Sequence, residues 1–207
     1  MTRSHTIRVQ LGERSYDVVV GSGVRSQVFS ALPSTARRAL VITQDGIPFT
    51  TADDLKSAGL SVSTLTIGDG EEHKSLSTIE AIMVECANIG LTRNDVIVGV
   101  GGGMVTDVAG FAASLWHRGI AAVHVSTTLV GMVDAAIGGK TGVNLSTGKN
   151  LVGSFWQPRA VFCDTDALAS LSPQEIRCGH GEMAKYHFLT GDNLLALELA
   201  ERIARCV

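Results

Sequence analysis

Between residues 39 and 126, short apolar runs alternate with stretches of helical periodicity, and that alternation leaves few folds open to the chain. Residues 39–43, 61–67, 95–100 and 121–126 read as strands. Residues 51–58, 76–89 and 104–115 read as the helices between them, the first two closed by Gly59 and Gly90. Strand followed by helix, several times over, predicts a mostly parallel sheet with helices on both faces. Ahead of it, residues 6–11 and 15–20 form two β-rich runs joined by Gly12, Glu13 and Arg14, a predicted hairpin. The fold class expected is therefore α/β, with a Rossmann-like sheet over residues 1–171. From Ser172 the pattern turns helical. Ser172, Pro173 and Glu175 offer an N-cap, a proline at the first helical position and a first-turn carboxylate, and residues 193–206 read as a second helix. Residues 172–207 are expected to open an all-helical C-terminal domain that is incomplete here.

Composition removes several function classes. The chain has 207 residues, 45% hydrophobic and 18% charged, which suits a well-buried core. Its net charge is -3 and no basic stripe stands out, so no nucleic-acid partner is expected. No apolar run approaches the ~18 residues of a membrane span. The first ten residues lack the apolar core of a signal peptide, and the four cysteines form no Cys-x-x-Cys pair, so the expected compartment is the cytoplasm.

Twenty-three glycines against four prolines point to loops that lie close to a ligand. Gly101, Gly102 and Gly103 separate a buried strand from a helix N-terminus, a natural anion site. The stretch is not an ordinary dinucleotide fingerprint. Its third glycine is replaced by Met104, and no acidic residue follows at about 20 positions. Residues 134–141 approach a Walker A loop, but Asp134 takes the place of its first glycine and would repel a triphosphate. A single phosphate group held by Lys140 fits better. A lone lysine is ordinarily solvated surface charge. Lys140 and Lys149, each beside glycine and near Asn144 and Asn150, point instead to a phosphate-holding pair of turns. The acidic run Asp69, Gly70, Glu71, Glu72, His73, Lys74 follows a strand, where it is either a solvated turn or a ribose contact.

Further along, Glu182 and Lys185 are three apart and share a helix face, whereas His180 and His187 point elsewhere. No His-Glu-x-x-His motif exists, so this segment does not build a metal site alone. Asp107 is expected in the first turn of its helix. Asp134, among Val133, Ala135, Ala136 and Ile137, needs a partner or a job.

Gly101 to Asp107, Ser126-Thr127-Thr128-Leu129, Asp134, the runs at 138–144 and 148–150, Gln157-Pro158, and Glu182 with Lys185 and Tyr186 occur here in one order. In that order the chain resembles the 3-dehydroquinate synthase family of sugar-phosphate cyclases, from about residue 41 to 189. The resemblance implies an NAD-dependent, phosphate-eliminating lyase with a divalent metal, zinc or cobalt, acting on a small sugar phosphate and working as a homodimer when complete. It implies NAD contacts from Asp69, Gly70, Glu71, Glu72, His73, Lys74, Gly103, Met104, Val105, Thr106, Asp107, Thr127, Thr128, Lys140, Lys149, Ala167, Leu168, Ala169 and Ser170. Lys140 and Asn150 would grip the substrate phosphate, joined by Arg118 from a neighbouring subunit. Asp134 and Lys185 would bind sugar hydroxyls, and Glu182 would ligate the metal. Gln44 stands where the family often carries an acidic or amide residue against the adenosine ribose. The family's histidine ligands lie in a helical domain absent from these residues, so the chain alone is expected to be inactive. An inosose-, valiolone- or amino-quinate-forming cyclase and a non-catalytic NAD-binding remnant are the alternatives.

Overall fold

The computed structural model describes residues 4–49 and 51–207, apart from the side chain of Leu195. The opening hairpin is present. β1 (His5–Val9) and β2 (Tyr16–Gly21) pair antiparallel, with His5 opposite Val20 and Val9 opposite Tyr16. The expected alternation follows as β3 (Arg38–Thr43), α1 (Ala52–Ser57), β4 (Ser61–Thr66), α2 (Leu76–Asn88), β5 (Val96–Gly101), α3 (Gly103–Leu115) and β6 (Ala121–Ser126). Next come β7 (Lys140–Leu145), β8 (Gly148–Phe155), β9 (Ala160–Asp164), α4 (Pro173–Thr190) and α5 (Leu199–Cys206).

The main sheet has the order β1-β2-β9-β6-β5-β3-β4, parallel throughout except for β1. Every residue of β5 is buried, which accounts for its unbroken apolar sequence. Alternate residues feed the two faces. Leu40, Ile42, Ile97 and Ala122 pack under α2 and α3. Ala39, Val41, Val96, Val98 and Val123 face α1 and the 3-10 segment Val24–Ala31. Beside the α2–α3 layer, Tyr16, Val18, Val161 and Cys163 meet Met183 of α4 and Ile203 and Cys206 of α5. The helices after Ser172 therefore share a core with the sheet. The cap of α4 is complete: Glu175 N donates to Ser172 Oγ at 3.3 Å, and Ser172 N donates to Glu175 Oε2 at 2.8 Å. No helix of the described residues is long and apolar enough to cross a membrane.

Three local expectations are corrected. Residues 140–144 and 148–150 are strand rather than turns: β7 and β8 form a separate antiparallel sheet with Thr141 opposite Ser154 and Gly142 opposite Gly153. Their glycines serve close backbone approach. A Cβ on Gly153 would lie 2.0 Å from the Thr141 carbonyl oxygen, where no side chain fits. Residues 193–206 are not one helix, because Leu197 and Glu198 are extended (ψ 152° and 153°) and α5 starts only after them. Asp107 is the fifth residue of α3, one residue beyond the first turn in which it was expected, because the helix starts at Gly103. The segment Gly131–Ala135 is a short π-helical turn, and the glycines after it lead into a strand rather than a helix N-terminus. The donor nest of a Walker loop is thus not formed there.

Candidate active site

The carboxyl end of β5 opens into Gly101, Gly102 and Gly103, and α3 begins at Gly103 with no side chain capping its first turn. Its leading N–H groups are left for a ligand. The glycines are required by what stands over them. A Cβ on Gly102 would lie 2.8 Å from Thr128 Cγ2, and one on Gly103 would lie 2.7 Å from Ala135 Cβ. Next to this turn, at the end of β6, Ser126 Oγ is buried with no hydrogen-bond partner, and a Cβ on Gly131 would lie 2.5 Å from it. An uncapped helix start, a glycine turn and an unsatisfied hydroxyl make a cradle fitted to the backbone of a dinucleotide. Of the residues expected there, Val105 and Thr106 are buried and can offer only main-chain atoms. Thr127 is buried and Thr128 Oγ1 accepts from Gly131 N at 3.1 Å.

Lys74 is the buried cation of this edge, 6% exposed. Its ammonium donates to Asp107 Oδ2 on α3 and to Asn150 Oδ1 on β8 at 2.6 Å. Its carbonyl accepts from Asn144 N at 2.8 Å, and Asn144 Oδ1 accepts from Asn150 N at 2.8 Å. Asn150 has a left-handed backbone, φ 56°, held from both sides by these bonds. Burial raises the Asp107 carboxyl above its ordinary range, and the Lys74 ammonium pulls it back. Glu71 accepts from Asn144 Nδ2 at 2.7 Å and lies 3.7 Å from Lys149 Nζ; the Asn144 bond holds its pKa low. The acidic run is thus fastened to the hairpin through Glu71 and Lys74, while Asp69, Gly70, Glu72 and His73 are exposed.

Hairpin, α3 and the 131–135 turn enclose a cleft of about 510 Å³, lined by Asp107, Asp134, Lys140, Thr141, Asn150 and Phe155 among others. That is the size of a small-ligand site. Lys140 Nζ donates to Asp134 Oδ1 at 2.7 Å. On α4, Lys185 is paired with Glu182, and the Lys185 ammonium is raised, first by that bond and further by the nearby Asp134. Burial, and then the Asp134 charge, raises the Tyr186 phenol.

The structure brings Lys74, Asp107, Asp134, Lys140 and Asn150 to one cleft, with Glu182 and Lys185 at its α4 side. Arg118 is elsewhere: it sits exposed past the C-terminal end of α3, just before β6 and so at the amino-terminal ends of the central strands, with φ 66°. Ala167, Leu168, Ala169 and Ser170 lie in a 3-10 turn after β9; Ala167 and Leu168 are buried, so they too offer main chain. Lys149 pairs with Glu71 at the rim. The described residues hold no group of three His, Cys, Asp or Glu side chains able to cage a metal, and His187 is engaged by the Asp192 carbonyl. Glu182 alone does not make a metal site. Sequence reasoning passed over Thr141, Leu151, Ser154 and Phe155 on the hairpin wall. No linear signal marks these positions: the exposure of Phe155, 78%, shows only once β8 is in place.

The family model for the 3-dehydroquinate synthase N-terminal region matches residues 64–178, more than half the chain. A protein of Amycolatopsis mediterranei named as an aminodehydroquinate synthase is 49% identical over 98% of this chain and 56% of its own length. A 3-dehydroquinate synthase of Nitrobacter winogradskyi is 44% identical over 90% of this chain and 50% of its own. A 2-deoxy-scyllo-inosose synthase solved with carbaglucose-6-phosphate, NAD+ and Co2+ superposes with a TM-score of 0.80 at 34% identity, covering 87% of this chain and 50% of that one. The chain spans about half the length of the curated relatives it matches. With the glycine cradle and the lysine-bearing hairpin in place, the chain belongs to the 3-dehydroquinate synthase family.

Proposed function

We propose that the full-length protein is a cytoplasmic 3-dehydroquinate synthase of the shikimate pathway, converting 3-deoxy-D-arabino-heptulosonate 7-phosphate into 3-dehydroquinate and phosphate. Residues 1–171 are its NAD-binding domain, and residues 172–207 open the helical domain that completes the site. One observation supports this most: Lys140 and Asn150, on facing strands of one hairpin, share a cleft with Asp107 and Asp134 beside the glycine turn.

Bound NAD supplies a transient hydride acceptor for one ring hydroxyl, which acidifies the neighbouring C–H. The chain's own residues hold and neutralise. The α3 start and Ser126 receive the cofactor's phosphates. Lys140 gives a point charge to the departing phosphate and Asn150 a side-chain amide. Substrate phosphate competes with Asp134 for Lys140, which frees the Asp134 carboxylate to accept from a sugar hydroxyl. Lys185 binds a second hydroxyl. Glu182 would be one ligand of a zinc or cobalt ion whose other ligands lie outside these residues. In a homodimer, Arg118, at the amino-terminal ends of the strands, serves the cleft of the second copy.

Purified full-length protein given NAD, zinc and the heptulosonate phosphate is expected to release inorganic phosphate, and residues 1–207 alone to release none. Absence of phosphate release from the complete protein refutes the assignment. The 49% identity to the aminodehydroquinate synthase favours a second reading, in which the amino analogue of the substrate is the preferred one. Competition between the two substrates in the same assay decides between them.

A further inference from the structure

The acidic residue of a dinucleotide site ordinarily follows the glycine turn by about 20 positions, because the neighbouring strand comes next in the chain. Here the sheet order forbids that. The strand after β5 in sequence, β6, lies on one side of it, whereas β3 and β4, which precede it, lie on the other. An acid that meets the adenosine ribose from the β3–β4 side must therefore come from upstream. The register places it. Ile42 of β3 pairs with Gly99 of β5, so Gln44, two residues on, stands level with Gly101 at the start of the glycine turn. Gln44 carries no charge, but its Nε2 donates to the Gly68 carbonyl at 3.1 Å and to Asp69 Oδ1 at 3.2 Å. Gly70 N donates to the same Oδ1 at 2.9 Å. Two donors on one oxygen fix the exposed Asp69 carboxylate at the strand edge, and no donor among the described residues holds Oδ2.

The geometry points to Asp69, oriented by Gln44, as the group that selects NAD over NADP. Its carboxylate accepts from the ribose 2′-hydroxyl and repels the 2′-phosphate that distinguishes the second cofactor. Gln44 is a positioning residue: it aims the acid and bridges β3 to the turn after β4. This assignment rests on the NAD-binding reading above and adds to it the residue that discriminates.

Isothermal titration of the protein with NAD+ and with NADP+, without substrate or metal, tests it. The expected result is NAD+ binding with NADP+ weaker by at least about tenfold, the scale of one like-charge contact near a surface. Asp69→Asn is expected to bring the two affinities close to parity, and Gln44→Met to narrow the ratio by a smaller factor. Asp45→Asn, a neighbouring exposed carboxylate changed in the same way, should leave the ratio unaltered. NAD+ binding with an unchanged ratio in Asp69→Asn or Gln44→Met overturns the assignment alone. A ratio that narrows equally in Asp45→Asn overturns it in favour of Asp45. No NAD+ binding by the unaltered protein overturns the dinucleotide reading and this assignment together.

Discussion

Acid should weaken this fold through one imidazole. His124 lies in the middle of β6, 2% exposed, with its Nδ1 buried and without a hydrogen-bond partner. It is packed between Gly99 and Gly110, where a Cβ would come 3.1 Å from Nδ1 and 3.5 Å from Nε2. Burial alone pushes its pKa down from 6.5 to about 4. The sign follows from which state holds the proton. Above the unfolded value both states are neutral and no penalty exists. As pH falls through that value the unfolded chain gains a proton the folded chain refuses, and stability is lost until the folded imidazole titrates in turn. The shift corresponds to about 3 kcal/mol in full, of which about 2 kcal/mol is lost by about pH 5. Urea unfolding of the protein and of His124→Leu, followed from about pH 7.5 to about pH 4.5, isolates this contribution. Leucine's own packing cost does not vary with pH, and the carboxylates common to both proteins cancel in the difference. The wild type is expected to lose about 2.5 kcal/mol more than the variant over that range. Parallel stability curves would show that the core tolerates an imidazolium and would refute the argument.

Other outcomes follow from contacts already described. Lys74→Met leaves the Asp107 carboxylate part-buried without its cation and is expected to cost about 3 kcal/mol, while adding Asp107→Asn recovers much of it; a double-mutant cycle by urea unfolding reads the coupling. Gly153→Ala forces β7 and β8 apart at the Thr141 carbonyl and is expected to cost about 1–3 kcal/mol by the same measurement. In the full-length protein Lys140→Ala should lower phosphate release far more than NAD affinity, and an equal loss of both would reassign Lys140 to the cofactor. Glu182→Gln should lower the zinc retained after dialysis of the full-length protein, with unchanged zinc content removing Glu182 from the ligand set.

The strands and helices of the main sheet were legible because each has one period and one face. β6 lies where its apolar run predicts, and α2 and α3 differ from expectation by one residue at an end. The hairpin was not legible as strand. Gly138, Gly139, Gly142, Gly148 and Gly153 mark turns by composition, yet Gly142 and Gly153 face each other across a ladder where Cβ atoms do not fit. The site was legible as a set of residue types and not as a set of partners. Lys140 and Asp134 are six residues apart and their pairing is local, whereas Lys74 meets Asn150 across 76 positions, a contact no local pattern encodes. Likewise the dinucleotide fingerprint failed as a linear rule, since the sheet order puts the neighbouring strand ahead of the glycines.

The sheet order also sets a schedule for synthesis. β2 is among the first strands to leave the ribosome, yet its parallel neighbour is β9, with Asp17 aligned to Ala160. At ordinary elongation rates the gap between them takes on the order of ten seconds to translate. Through that interval Val18, Val19 and Val20 have only the antiparallel companion β1, and a two-stranded ribbon is marginal by itself in water. The nascent amino-terminal ribbon is therefore the segment with most need of a chaperone, and the last insertion, β9 sliding between β2 and β6, joins it to the rest.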